Sequence, residues 1–164
     1  MNDKGSPRVL ILMGSDSDWP VVKAACDLLE EFGVPHRATV ASAHRTPERV
    51  RELVQEAEAA GAGVFIAAAG MAAHLAGAVA ALTYRPVIGV PLSSKMGGID
   101  SLLSTAQMPN GVPVATVAVD GAANAALLAV QILAVGDPRL SQRLAEHKGR
   151  MRETVLAKAA KLVK

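Results

Sequence analysis

The chain has 164 residues, enough for one domain that buries about 70% of the surface its unfolded form exposes. Of these, 51% are hydrophobic and only 2% aromatic, so Ala, Val and Leu must build the core. A formal charge of +2, with one Trp, one Tyr and two Phe, is too small and too poor in stacking rings to argue for nucleic acid.

The start, Met1 to Pro7, is polar and lacks the apolar stretch of a signal peptide. Val9–Met13 is a continuous apolar run, the signature of a short buried parallel strand. Val21, Ala25, Leu28, Leu29 and Phe32 then recur at helical spacing, stopped by Gly33 with Pro35 beyond. Cys26, the one cysteine, lies inside this helical pattern. It excludes an internal disulfide and reads as a small core residue. The run His36–Ala41 predicts a second strand. Thr46-Pro47 after it reads as N-cap and first helical position of a helix marked by Val50, Leu53, Val54 and Ala57. Val64–Ala69 predicts a third strand, followed by a nearly all-apolar helix from about Met71 to Leu82.

Residues 62–84 approach the length of a membrane span, but His74 and three glycines make them read as buried strand, turn and helix. Pro86–Val90 and Val114–Val119 supply two more strands, with a buried helix over Ala122–Ala134. Strands alternating with helices in this way predict a single α/β domain: five parallel strands covered on both faces, three layers in all. The last segment, 137–164, differs. It carries eight basic and three acidic side chains, and Leu140, Leu144, Met151, Val155 and Leu162 form a narrow stripe interrupted by Gly149. A helix lying on its own domain and a basic nucleic-acid arm are both conceivable. The length and narrow seam favour packing against another subunit. The whole reads as a soluble cytoplasmic protein.

In an open parallel sheet, ligands bind beyond the carboxyl ends of the strands. Three such ends carry chemistry here. After the first strand comes Gly14-Ser15-Asp16-Ser17-Asp18, which is neither a Walker loop nor a dinucleotide fingerprint. Its hydroxyls and the N–H groups of the coming helix suit an anion, and Ser17 or Asp18 suits an N-cap. Asp18 would repel phosphate but could accept hydrogen bonds from ribose hydroxyls. After the second strand, Ser42-Ala43-His44-Arg45 offers a forked guanidinium for phosphate, a hydroxyl beside it, and an imidazole suited to proton transfer near neutral pH. After the third, Gly70 to His74 combines small residues with a histidine in the first turn of an apolar helix. A hydrogen-bonded core role for His74 is an equal alternative. His36 and His147 look like surface residues. Scattered histidines and one close carboxylate pair, Asp16 and Asp18, argue against a metal.

These residues together closely resemble the PurE family of de novo purine synthesis, the 5-(carboxyamino)imidazole ribonucleotide mutases. The resemblance runs from about Arg8 to Ala134. It is carried by MGSDSDW (13–19), SAHRTP (42–47), AAHL (72–75), VIGVP (87–91), GIDSLLSTAQMPNGVPVATVAV (98–119) and AANAALLAVQIL (122–133). It implies a flavodoxin-like three-layer fold assembled as a homo-octamer, with the C-terminal helix reaching neighbouring subunits. The implied reaction moves a carboxylate from the exocyclic nitrogen of an aminoimidazole ribonucleotide to a ring carbon, with no cofactor. By the same resemblance, Ser15, Asp18 and Arg45 match ribonucleotide-binding positions, with Ser42 beside them. Gly70 and His74 match a second loop lining the pocket. His44 matches the catalytic histidine, which would protonate the imidazole carbon as carbon dioxide leaves and remove that proton after recarboxylation. The SAHRTP and AAHL forms match the mutase class rather than the animal-type direct carboxylases.

Some positions depart from the pattern. Ala68 and Met71 stand where glycines are expected, Ala76 where proline is expected, and Asp120-Gly121 is a shortened approach to AANAA. A response-regulator-like phosphoacceptor would need an aspartate ending the third strand, where Ala67-Ala68-Ala69 stands instead. A non-catalytic nucleotide-binding paralogue and a direct carboxylase remain as alternatives.

Overall fold

The computed structural model describes residues 6–162, so the polar start falls largely outside the described residues, as do 163 and 164 at the other end. Strands β1 (Val9–Met13) and β4 (Val87–Leu92) are buried throughout, and β3 (Val64–Gly70) runs between them at the centre of the sheet. With β2 (His36–Val40) and β5 (Ala115–Thr116), the described residues form one parallel sheet in the order β2-β1-β3-β4-β5. This is the flavodoxin-like order, and its direction of winding reverses between β1 and β3.

Because side chains alternate along a strand, the two faces sort cleanly. Val9, Ile11, Met13, Ile66 and Val90 meet α1 (Trp19–Glu31) and α5 (Ala122–Ala134). Leu10, Leu12, Phe65 and Ala67 meet α2 (Pro47–Ala59) and α3 (Leu75–Ala80). Small residues bring the layers close: Ala122, Ala125, Ala126 and Ala129 of α5 are fully buried, and Cys26 on α1 is buried with only a trace of exposure. Gly89 of β4 marks the tightest approach. A Cβ there would lie 2.3 Å from Cγ2 of Thr105 and 2.9 Å from Cγ1 of Val114.

Several elements differ from the sequence expectation, each for a local reason. The helix expected from Met71 to Leu82 is only α3, because Met71 takes a left-handed φ of 53° and residues 71–74 turn instead. His74 therefore sits at the N-cap rather than in the first turn. The fifth strand is two residues long; beyond Thr116 the chain makes only isolated bonds, Val117 N–H to Gly89 O and Asp120 N–H to Pro91 O. Helix α4 (Ile99–Ala106) forms where the apolar pattern predicts no helix. Its buried positions are polar, Ser101 and Thr105, whose hydroxyls donate to Leu92 O and Ser101 O at 2.7 Å each. Its large apolar residues Ile99 and Leu103 are exposed, so the pattern that announces a helix is inverted.

Helix α6 (Pro138–Leu162) runs unbroken through Gly149. Its first half lies on its own domain: Leu140 is buried, and Arg143 donates to the carbonyls of Phe32 (2.9 Å) and Glu31 (3.2 Å) at the end of α1. A guanidinium there answers both the unpaired carbonyls and the negative end of the helix dipole. His147 is half-buried rather than free on the surface. Its ring packs 5.3 Å from that of Phe32, and Nδ1 lies 3.7 Å from Glu31 Oε1. His36 is also partly buried, bonded through Nδ1 to Val34 O. The far half of the stripe, Met151, Val155 and Leu162, is uncovered.

Candidate active site

The carboxyl ends of β1, β2, β3 and β4 converge on one cleft of about 700 Å³. At the end of β1, Ser15 caps a single 3-10 turn, Asp16–Asp18. Ser15 Oγ accepts from Ser17 N–H at 3.3 Å, and Asp18 Oδ2 accepts from Ser15 N–H at 2.9 Å, a reciprocal capping box. The hydroxyls suited to an anion are thus fixed before α1 begins. Asp18 stands at the N-cap position of α1 but makes no side-chain cap bond there. Burial pushes its carboxyl above the ordinary carboxylate range, against the pull of the Ser15 and Gly14 N–H groups; neighbouring Asp16 adds to the rise and Arg45 opposes it.

At the end of β2, Thr46 occupies the N-cap position of α2 without capping it. Its hydroxyl instead accepts from Ser42 N–H at 3.0 Å and donates to Ser42 O at 3.2 Å, which closes the 42–46 turn on itself. From that turn Arg45 reaches the end of β1, where Nη2 donates to Gly14 O (3.0 Å), while Nε donates to Ser42 Oγ (3.4 Å). The guanidinium therefore ties the first two strand ends together and remains exposed toward the cleft. His44, next to it, meets a residue 30 positions away: its Nε2 lies 2.8 Å from Nδ1 of His74, with the rings edge-on at 77°. One of these nitrogens donates and the other accepts, so the pair orients both rings and couples their tautomers.

The family model for AIR carboxylase matches residues 8–154. The chain belongs to the AIR carboxylase family. Among relatives of this family, the N5-carboxyaminoimidazole ribonucleotide mutase of Thermotoga maritima is 54% identical over 157 residues, 95% of this chain and 92% of that protein. The protein of the same name from Pyrococcus horikoshii is 55% identical over 157 residues, covering 95% and 89%. The crystal structure of Treponema denticola PurE superposes with a TM-score of 0.89 at 30% identity, over 96% of this chain and 99% of that one.

In this AIR carboxylase family member, all seven residues singled out from sequence (Ser15, Asp18, Ser42, His44, Arg45, Gly70 and His74) line the one cleft. Met71, at a position where the pattern has glycine, adopts the left-handed backbone a glycine would take freely. The residue is 64% exposed and is one of those that line the cleft. Ala68 and Ala76 are buried in the two core layers, away from the opening. Among the described residues, no three of His, Cys, Asp and Glu group in a way that could hold a metal ion. None of the described helices is long and apolar enough to cross a membrane.

Sequence reasoning missed the fourth wall. Leu92, Ser93 and Ser94, at the end of β4, also line the cleft, and Ser94 Oγ donates to the Asp100 carboxylate at 3.0 Å. The signal was present: Ser93-Ser94-Lys95-Met96-Gly97-Gly98 is a polar, glycine-containing loop after an apolar strand, the same pattern that drew attention to the other three ends.

Proposed function

We propose that this chain is an N5-carboxyaminoimidazole ribonucleotide mutase, an isomerase of purine biosynthesis acting on a phosphorylated ribonucleotide. The observation that carries the reading is that His44 and Arg45 line the cleft side by side, with His44 paired to His74 at 2.8 Å. Relatives named for this activity, at 54% and 55% identity over nearly the whole chain, support it.

In this reading Arg45, Ser15 and Ser42 hold the phosphate, whose charge a guanidinium meets with two parallel bonds. Asp18, turned back toward the loop by its bond from Ser15 N–H, accepts from the ribose hydroxyls. The small residues at Gly70 let the aminoimidazole approach the backbone. His44 gives a proton to the aminoimidazole as the N–C bond breaks and carbon dioxide is released. It then takes a proton from the ring carbon once the new C–C bond has formed. The imidazole ends as it began, the exocyclic nitrogen has gained the proton the carbon lost, and no cofactor enters. His74 positions His44 for both transfers, since a base must stay within hydrogen-bond reach of two different atoms in turn.

The protein acts as one domain in the cytoplasm and assembles as a homo-octamer, the uncovered half of α6 (Met151, Val155 and Leu162) seating on a neighbouring copy. Light scattering of the full chain gives eight copies; a monomer would overturn this assembly.

Isotope labelling tests the reaction. At low bicarbonate, label in the substrate carboxylate is mostly retained in the product, because the released carbon dioxide is recaptured inside the cleft. Unlabelled aminoimidazole ribonucleotide with bicarbonate reacts only slowly. Faster use of that uncarboxylated substrate would make the chain a direct carboxylase, and no reaction with either would make it a binding protein.

A further inference from the structure

We propose that Asp120 is a positioning residue for this cleft, holding the Ser93–Ser94 wall in place from outside it; the proposal deepens the mutase reading and rests on it. Asp120 does not line the cleft. Its Oδ1 accepts from Ser93 N–H at 2.9 Å, and its own N–H donates to Pro91 O at 2.9 Å. The residues on either side of Leu92, the last of β4, are thus both tied to Asp120.

The loop that leaves the sheet at Ser93 also returns to the same seat. At its far end Gly98 packs so closely on Val119 that a Cβ there would lie 2.5 Å from Cγ1 of Val119 and 3.4 Å from Cα of Ser93. Residues 119 and 120 therefore hold both ends of a loop whose first two members face the substrate. Asp120 does this in a left-handed conformation, φ 57°. Non-glycine residues keep that backbone only where their surroundings demand it, and aspartate tolerates it better than most. The conformation is what turns the carboxylate back toward the Ser93 amide. It occurs in Asp120-Gly121, the short approach to the AANAA start of α5.

Without the carboxylate, the Ser93 amide loses a charged acceptor and the start of the loop is free. Substrate must then order the loop as it binds, a cost that falls on KM rather than on the chemical step. Two variants of the full chain separate the acceptor from the backbone. Asp120→Asn keeps an oxygen acceptor and tolerates left-handed φ; Asp120→Gly keeps the backbone and deletes the acceptor. For Asp120→Gly we expect KM to rise about tenfold, the scale of one charge-assisted hydrogen bond, with little change in kcat. Amide exchange should accelerate over residues 93–98 and stay unchanged in the strands. Asp120→Asn, which keeps a neutral acceptor, should lie much closer to the wild type than Asp120→Gly in both measurements. Unchanged exchange over 93–98 in Asp120→Gly would overturn the proposal. So would equal impairment of the two variants, or a loss confined to kcat. If the exchange difference appears but the wild type converts no substrate, the clamp stands and the mutase reading is what fails.

Discussion

Arg45→Ala isolates the anion end of the cleft. Of the five N–H donors on the guanidinium, one is directed at Gly14 O (3.0 Å) and one, weakly, at Ser42 Oγ (3.4 Å), which leaves three to meet a ligand. A forked contact with phosphate uses two of them, and a well-shielded hydrogen bond to a charged group contributes about 1.5–3 kcal/mol net of its exchange with water. Allowing for solvent at an open cleft, loss of the pair weakens ribonucleotide binding by roughly 30- to 150-fold. The uncharged nucleoside has no phosphate to lose, and its affinity should change by less than about threefold. Stability should hardly move, because Arg45 is exposed and its two internal bonds lie at the surface. Isothermal titration of nucleotide and nucleoside against both proteins, with thermal unfolding as a control, gives the comparison. Equal losses for the two ligands would refute the assignment of Arg45 to the phosphate.

Three further outcomes follow from the same geometry. His44→Asn should lower turnover by at least ~100-fold, the scale of general acid–base catalysis, while ribonucleotide binding by titration survives; near-normal turnover would remove His44 from the mechanism. Gly89→Ala should destabilise the fold by about 1–3 kcal/mol or more in urea unfolding, because its new methyl overlaps Thr105 of α4; an unchanged midpoint would mean that α4 is not seated on β4 as described. Asp18 holds its proton more tightly folded than unfolded, so its contribution to stability is greatest at low pH and falls as pH rises from the ordinary carboxylate value through the raised one. Urea unfolding of wild type against Asp18→Asn across that window should show the wild type losing ground as pH rises, and a gain would reverse the assigned direction.

By itself the sequence determined the frame. β1 and α5 have the boundaries their apolar runs predict, and α2 begins at Pro47 as the Thr46-Pro47 pair requires. These are local matters: strand and helix periods, a proline at a first turn, and the rule that parallel strands present their ligands at one edge. The same rule was enough to bring Ser15, Asp18, Ser42, His44, Arg45, Gly70 and His74 to a common cleft.

What only the tertiary structure decided depends on contacts between distant residues. The pairing of His44 with His74 spans 30 positions, and the docking of Arg143 on Phe32 O spans 111; no periodicity reports either. Helix α4 was hidden because its buried face is serine and threonine, satisfied by backbone carbonyls that only the folded chain supplies. Gly149 does not break α6, since one glycine weakens a helix by about 1 kcal/mol, too little to stop a long one. Met71 and Asp120 adopt the left-handed backbone that their side chains disfavour, and Asp120 does so where the end of β4 ties down both its amide and its carboxylate. Local preference is worth about a kilocalorie per residue, and packing outweighs it wherever several neighbours act on one position.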